Sequence, residues 1–212
     1  ISILGKEDHT LLQERRSLSL AAGQSHILLD HAKARIIAET GRPVLDRLVE
    51  DLPYKIVSDV RPVANEAKSV LEDKASTGVG ILDMTARQYG CFVSLSGSGA
   101  DETISDYGFQ GRPIYQHSNF GGLWPESLGT IFPWASFYGS TQEAYLRKEE
   151  AVGGAFGIET RYPFLDKAVV QAWLNVSTQL KNAEYKAPIK SYLNVLGYPS
   201  RLEKRGFSPW DL

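Results

Sequence analysis

Apolar residues recur at helical spacing in several separate segments of the chain. Leu11, Leu12 and Leu18 predict a first helix over residues 6–22, which ends before Gly23. The same periodicity predicts further helices over residues 32–52, 63–74, 81–89, 141–156, 167–175 and 187–196. Pro43 is expected to kink or split the second of these helices, because proline lacks the amide donor that a helix interior requires.

Two short apolar runs, His26–Asp30 and Cys91–Leu95, have the length and composition of buried strands, the second being a central strand. Glycines in the Ser76–Gly80 segment predict a loop between two helices. Strands that alternate with helices are typical of an α/β fold, in which helices cover a parallel sheet. The later part of the chain is predicted to be mostly helical.

Residues 108–139 lack any clear period and are rich in glycine, proline, serine and aromatic residues. We therefore expect one domain with three parts: an α/β portion over residues 1–107, an irregular aromatic-rich insertion over 108–140 and a helical C-terminal part over 141–212. Aromatic side chains that are exposed in the insertion would favour a protein-partner interface.

Composition narrows the function classes. The 212 residues contain 23 Lys plus Arg and 25 Asp plus Glu, for a formal net charge of -2, so overall charge favours neither nucleic acid nor an anionic membrane. No apolar window is long enough to span a bilayer. With the single Cys91, this predicts a soluble protein of a reducing compartment, cytoplasm or organelle interior. The start at Ile1 predicts that the chain belongs to a longer protein.

The octet Leu95–Glu102, Leu-Ser-Gly-Ser-Gly-Ala-Asp-Glu, follows the second apolar run. The backbone amides of a glycine-rich turn that leads into a helix can bind a phosphate group. Carboxylates beside such a turn would repel a bare phosphate, so they favour a site in which Mg²⁺ lies between carboxylate and phosphate oxygens. The alternative is a plain turn in which Asp101 or Glu102 caps a helix. The octet matches neither the Walker motif nor the dinucleotide fingerprint.

Two further segments carry charged residues in suggestive positions. In Gly157–Asp166, Glu159 and Arg161 are two residues apart on extended backbone and point to the same side; they form either part of a site or a surface ion pair. The segments 185–190 and 203–207 place lysines where they could meet phosphate oxygens or remain solvated.

Taken in order, these segments resemble the synthetase domain of the asparagine synthetase family. The family pattern is Leu-Ser-Gly-Glu-Gly-(Ser/Ala)-Asp-Glu followed by Gly-Tyr, then Gly-(Val/Ile/Leu)-Glu-x-Arg-x-Pro-Phe-Leu-Asp, Lys-x-x-(Ile/Leu)-Arg and Lys-x-x-Phe. The matching segments in this chain are 95–102 with Tyr107, 157–166, 186–190 and 204–207. Four matches in one order are more specific than any single motif, and the resemblance covers nearly the whole chain.

The resemblance implies an N-type ATP pyrophosphatase fold, related to the adenine nucleotide alpha hydrolases, that activates a carboxylate as an acyl-adenylate for attack by ammonia. ATP and Mg²⁺ are the implied cofactors, and a small-molecule carboxylate is the implied substrate. It assigns Asp101 to the metal, Lys186 and Lys204 to the phosphates or the adenylate, and Glu159 with Arg161 to the acyl-acceptor region. It places Ser96, Gly97 and Gly99 in the backbone that adjoins the nucleotide.

The chain departs from the family pattern at several positions. Ser98 stands where the family has a glutamate, Asp106 where it has a glycine, and Lys190 where it has an arginine. The family's Ser-Gly-Gly-x-Asp-Ser pyrophosphate loop does not occur in these residues. Two hypotheses follow: a catalytic fragment whose remaining parts lie upstream or in another chain, and a degenerate synthetase-like domain that serves as a structural or assembly subunit.

Overall fold

The computed structural model describes residues 2–3, 8–51 and 74–199. Its strands are β1 (Ser2–Ile3), β2 (Leu28–Leu29), β3 (Val93–Leu95), β4 (Gly108–Phe109), β5 (Arg112–Pro113) and β6 (Glu159–Arg161). Its α-helices are α1 (His9–Ala21), α2 (His31–Asp51), α3 (Lys74–Gln88), α4 (Ala135–Tyr138), α5 (Ser140–Ala155), α6 (Lys167–Asn175), α7 (Thr178–Lys181) and α8 (Ala187–Val195). A π-helical turn spans Asp101–Ser105, and short 3-10 turns span Leu128–Thr130 and Pro163–Leu165.

The described strands form pairs, two of which are parallel. β1 pairs with β2, and β3 pairs with β6 so that Val93 lies beside Glu159 and Leu95 beside Arg161. The third pair, β4 with β5, is an antiparallel hairpin. Mixed helices and parallel strands confirm the α/β class that the sequence predicts.

Most helices predicted by periodicity are confirmed to within a few residues, because local signals mark their ends. Asp8 accepts a hydrogen bond from the amide of Leu11 (3.1 Å) at the start of α1. Asp166 likewise accepts from the amide of Ala168 (2.8 Å) at the start of α6. Such caps satisfy amides that have no partner inside the helix. The predicted helix over 63–74 lies outside the described residues, apart from its last position.

The loop predicted over Ser76–Gly80 is wrong, since α3 runs through it without a break. A methyl group placed on Gly80 would lie 3.1 Å from the Phe156 ring, so the glycine permits close packing of α3 against α5. The prediction treated a packing glycine as a turn glycine. Pro43 lies inside α2, which is assigned as one helix, so the predicted split does not occur.

Residues 108–139 contain only short helices and strands, and their large aromatic side chains divide between core and surface. Trp124, Trp134 and Phe137 are buried and form a core cluster with Ile104 and Trp173. The rings meet edge to face, as with Trp124 and Trp173, whose centroids are 5.2 Å apart. Part of the aromatic composition therefore reflects a core, while Tyr115, Phe132 and Tyr138 stay exposed, as a partner interface would require.

β3 is predicted as a central strand, yet within residues 2–3, 8–51 and 74–199 it pairs with β6 alone. Its outward side chains are exposed, Leu95 by 75%. Ser94 and Thr160 point to the opposite face, where their hydroxyl oxygens lie 3.4 Å apart. None of the helices in the described part of the chain combines the length and apolar character that crossing a bilayer requires.

Candidate functional site

The segments 95–102 and 157–166 meet at the carboxyl ends of β3 and β6. The amide of Ser96 donates to the carbonyl oxygen of Arg161 (2.8 Å), which extends the strand pairing by one bond. A methyl group on Gly99 would lie 2.4 Å from Leu165 Cδ2, so these two residues are in close contact. Ligands of open α/β sheets commonly bind at this edge.

The backbone after β3 forms a tight, internally bonded turn. The amide of Ser98 donates to Ser96 Oγ (3.1 Å), and Gly99 adopts φ +91°, a conformation that favours glycine. Thr103 Oγ1 donates to the carbonyl oxygen of Gly99 (2.6 Å). The helix expected behind the turn is only the five-residue π-helical turn, because Asp106 ends it in the left-handed conformation. Its dipole is correspondingly small.

Asp101 is the centre of a polar cluster that connects this turn to the start of α8. Its Oδ1 atom lies 2.7 Å from Lys186 Nζ, and the hydroxyl groups of Tyr185 and Ser105 each donate to the same oxygen over 3.1 Å. The Asp101 and Lys186 side chains are about three-quarters buried, so solvent screens their attraction less than on an open surface. The structure thus joins two predicted site residues that are 85 positions apart in the sequence.

Lys186 lies where the chain enters α8, with φ +54° in the left-handed region. Such a conformation costs a non-glycine residue about 1–2 kcal/mol. The ion pair with Asp101 offsets part of this cost and directs the ammonium group toward the turn after β3. Strain of this kind is concentrated at binding and catalytic sites.

Beside Asp101, the Glu102 side chain is buried. Tyr107 donates its hydroxyl hydrogen to Glu102 Oε1 over 2.5 Å, and Trp134 Nε1 donates to the Glu102 carbonyl oxygen. Burial raises the pKa of Glu102, although the bond from Tyr107 opposes the shift. Burial and the adjacent carboxylate likewise raise the pKa of Tyr107. The Glu102 side chain is therefore held by Tyr107, and its backbone carbonyl oxygen by Trp134 of the aromatic core.

Glu159 and Arg161 project from one face of β6, as their spacing predicts. Arg161 Nη2 lies 2.5 Å from Glu159 Oε1, and more than half of each side chain is exposed. Thr160, between them, is buried on the opposite face. The pair is accessible to a ligand, and its geometry also fits the surface ion pair that the sequence left open.

Asp106 is a structural residue that sequence reasoning noted only as a departure from the family pattern. It is fully buried, and five donors surround its carboxylate. The donors are Ser118 Oγ, the amide and side-chain nitrogens of Asn119, and the amides of Phe120 and Gly122. This carboxylate holds the irregular segment after Tyr107 in place behind the Asp101 cluster.

The structure brings five predicted site residues to the edge formed by the carboxyl ends of β3 and β6: Ser96, Gly97, Gly99, Asp101 and Lys186. Arg161 lies next to them, and Glu159 is two residues before Arg161 on the same strand. Lys204 lies outside the described residues. Sequence reasoning missed Ser105 and Tyr185 as partners of Asp101. Ser105 lies four residues after Asp101, and Tyr185 immediately precedes Lys186. These positions do not by themselves predict a contact with Asp101, which depends on the tertiary structure.

The Asparagine synthase family model matches residues 135–201, a span that contains β6, the Gly157–Asp166 segment and Lys186. A protein described as putative asparagine synthetase (glutamine-hydrolyzing) 1, from Methanocaldococcus jannaschii, is 30% identical over 151 residues. That alignment covers 66% of this chain and 26% of the relative. Both matches support the assignment of this chain to the asparagine synthetase family. It spans about a quarter of the length of the curated relative it matches.

Mg²⁺ is typical of the asparagine synthetase family, so the described residues can be tested as its ligands. Mg²⁺ prefers an octahedron of oxygen atoms, with one or two carboxylates among them. In the described residues, no group of three or more His, Cys, Asp or Glu side chains could hold a metal. Asp101 Oδ1 already contacts Lys186, and Glu102 is buried and bonded to Tyr107. The described residues therefore do not form a complete Mg²⁺ site by themselves.

Proposed function

We propose that the chain is the ATP-binding part of an asparagine synthetase-like ligase that forms an amide through an acyl-adenylate. The observation that carries the proposal is the cluster of Lys186, Asp101 and the turn after β3 at the carboxyl edge of a parallel strand pair. Family membership supports ATP use. The proposal includes an adenine nucleotide alpha hydrolase-like fold and the division into parts over residues 1–107, 108–140 and 141–212.

In the proposed reaction, a carboxylate oxygen bonds to the α-phosphorus of ATP as the bond to the β-phosphate oxygen breaks and pyrophosphate leaves. An amine nitrogen then attacks the acyl carbon, AMP leaves, and the nitrogen loses a proton to solvent or a base. The protein contributes by holding the partners in position and stabilising negative charge.

The proposed roles follow the placement of each side chain. Lys186 would lie beside the phosphates or the adenylate, with Asp101 positioning its ammonium group, and the Ser96–Gly99 turn would adjoin the nucleotide. Glu159 and Arg161 would line the acyl-acceptor region on the open face of β6. By the family resemblance, Lys204 would contact the adenylate. The substrate class is a small-molecule carboxylate.

Lys186→Met should weaken ATP binding by about 10- to 100-fold. A charge-assisted hydrogen bond contributes about 1.5–3 kcal/mol, and this range corresponds to that loss of affinity. Isothermal titration calorimetry of the wild type, this variant and Lys33→Met provides the measurement. Lys33 forms an exposed ion pair with Asp30 on α2, so its variant controls for the loss of one positive charge. Equal affinities in all three proteins would contradict a phosphate role for Lys186.

Asp101→Asn distinguishes a positioning role from a metal-ligand role. Without Mg²⁺, removal of the negative partner should leave the Lys186 charge less neutralised and strengthen pyrophosphate binding several-fold. A metal ligand would instead show a loss of affinity that requires Mg²⁺. The titrations are run with pyrophosphate in EDTA and in excess Mg²⁺, and a Mg²⁺-dependent loss would overturn the positioning role.

Glu159→Gln should reduce amide formation by about 100-fold or more, while the free energy of unfolding changes by less than about 1 kcal/mol. The small stability change is expected because the pair with Arg161 is exposed. Glu39→Gln, which breaks an equally exposed pair with Arg35 on α2, is the matched control. Pyrophosphate release with a panel of carboxylates measures activity, and urea unfolding measures stability. Equal activities in the two variants would refute the assignment of Glu159.

Ser98 favours a second candidate, a degenerate domain that serves as a structural or assembly subunit. A hydroxyl at this position cannot supply the negative charge that the family glutamate would offer an attacking amine. Any protein partner would use side chains that stay exposed in 108–140, such as Tyr138. Absence of ATP and pyrophosphate binding to the full-length protein, together with its recovery in a stable complex from the native source, would favour this candidate.

A further inference from the structure

Asp83 on α3 is a buried carboxylate outside the cluster around Asp101. It is 4% exposed, and its Oδ2 atom has no hydrogen-bond partner. An unsatisfied buried carboxylate oxygen is costly, so native proteins seldom leave one without a role or a proton. Asp83 follows the small and apolar positions 78–82 of the same helix.

Oxygen atoms of β6 and its lead-in residue face Asp83 across Gly153 of α5. A methyl group placed on Gly153 would lie 2.9 Å from Thr160 Oγ1, 3.3 Å from the Ile158 carbonyl oxygen and 3.5 Å from Asp83 Oδ2. The three oxygens therefore border the same small space. The glycine keeps that space open, because any side chain there would separate the oxygens.

An ionised carboxylate in this position could only accept from the Thr160 hydroxyl group, and the acceptor-only Ile158 carbonyl oxygen repels it. A protonated carboxyl group can donate to Thr160 Oγ1 or to the Ile158 carbonyl oxygen. We propose that Asp83 is a positioning residue whose protonated carboxyl group donates a hydrogen bond from α3 to Ile158 or Thr160. This hydrogen bond orients β6, the strand that presents Glu159 and Arg161. An effect of this hydrogen bond on catalysis rests on the proposed function, whereas the existence of the hydrogen bond does not.

The charged groups around Asp83 favour the protonated form. Glu149 projects from α5 and adds negative potential, while Glu159 and Arg161 of β6 point away from Asp83 on the opposite face. In the described chain, Asp83 forms no ion pair that could stabilise its charge. Burial first, and Glu149 second, raise the pKa of Asp83 from 3.8 to about 6.

The sign of the pH effect follows from this shift. The unfolded chain loses the Asp83 proton near its ordinary pKa, whereas the folded protein retains it until about pH 6. Asp83 therefore makes the folded state progressively less favourable as pH rises between these values, and the full penalty persists above pH 6. The shift corresponds to a change of roughly 100-fold in the unfolding equilibrium constant.

The test compares wild type, Asp83→Asn and Asp46→Asn by urea unfolding from pH 4 to pH 8. Asp83→Asn keeps a donor that does not titrate, so it should lose the fall in stability that the wild type shows between about pH 4 and pH 6. Asp46 lies on α2 with a partly exposed side chain that pairs with exposed Arg42, so its variant should follow the wild type. Asp83→Val, which lacks a donor, should be less stable than wild type at pH 4.

A direct readout is the infrared difference spectrum of wild type minus Asp83→Asn at pH 5, which should contain the band of one protonated carboxyl group. Neither unfolding nor infrared spectra depend on catalysis, so they decide the bond to β6 even if no ligase activity exists. Overlapping pH profiles of wild type and Asp83→Asn, or the missing band, would overturn the inference. If ligase activity exists, Asp83→Asn should also remove a component of the kcat profile centred near pH 6.

Discussion

Asp106→Ala should cost about 4–5 kcal/mol or more of the free energy of unfolding, the largest effect expected of any single substitution considered for this chain. Five hydrogen bonds converge on a carboxylate that is fully buried. Each buried donor left without a partner costs about 1–3 kcal/mol, partly recovered if water enters the vacated space. Urea unfolding monitored by tryptophan fluorescence measures the loss, since Trp124 and Trp134 lie in the adjoining core.

Matched substitutions separate the carboxylate from the backbone at this position. Asp106→Asn keeps one acceptor oxygen and should cost about 2 kcal/mol, while Asp46→Ala, which removes only a surface ion pair with Arg42, should change stability by less than about 1 kcal/mol. Asp106→Gly would relieve the left-handed φ of 50°, yet it should still destabilise strongly because it removes the acceptor. A stable Asp106→Gly protein would show that backbone conformation, and not the hydrogen-bonded carboxylate, determines the residue at this position.

Local sequence signals were sufficient for much of the secondary structure. The helix predicted over residues 167–175 is α6, because Asp166 caps its first turn and apolar residues follow at helical spacing. This helix depends on residues close together in sequence, which is why composition and periodicity reveal it. The pairing of β3 with β6 joins residues 66 positions apart, so only the general expectation of a parallel sheet was available from the sequence.

Tertiary contacts decided the features that the sequence left open or misassigned. Gly80 has the composition of a turn residue, but the Phe156 ring packs where its side chain would be, so the helix continues. The hydrogen bond from Tyr185 to Asp101 joins residues 84 positions apart, and no local sequence pattern predicts it. Asp83 is similar, since one carboxylate on a helix is ordinary until α5 and β6 enclose it.

The candidate site was predictable in its members and not in its electrostatics. The octet suggested that Asp101 lies at the end of a strand as a metal ligand, and the resemblance assigned Lys186 to the phosphates or the adenylate. Neither indicated that the two side chains form an ion pair with each other. Because of this ion pair, we interpret Asp101 as the residue that positions the Lys186 ammonium group, and not as a metal ligand.

Gly99→Ala should destabilise the protein by about 2–4 kcal/mol and weaken ATP binding at the same time. An added Cβ would lie 2.4 Å from Leu165 Cδ2 and 2.5 Å from Cγ, a distance that real contacts do not reach. Leu165 would have to move, which costs about 1–3 kcal/mol, and the φ of +91° adds about 1–2 kcal/mol for any residue with a side chain. Thermal and urea unfolding measure the first effect, and calorimetry with ATP measures the second.

Gly97→Ala is the matched control, because no atom lies within 4 Å of the added methyl group and its backbone is not left-handed. The double variant Gly99→Ala/Leu165→Ala should recover the part of the loss that comes from the clash, with a coupling energy of about 1–2 kcal/mol. The part due to φ should remain in the double variant. Equal stability of the Gly97 and Gly99 variants would mean that Leu165 is not packed on the turn. The two family motifs would then be neighbours in the fold without forming one site.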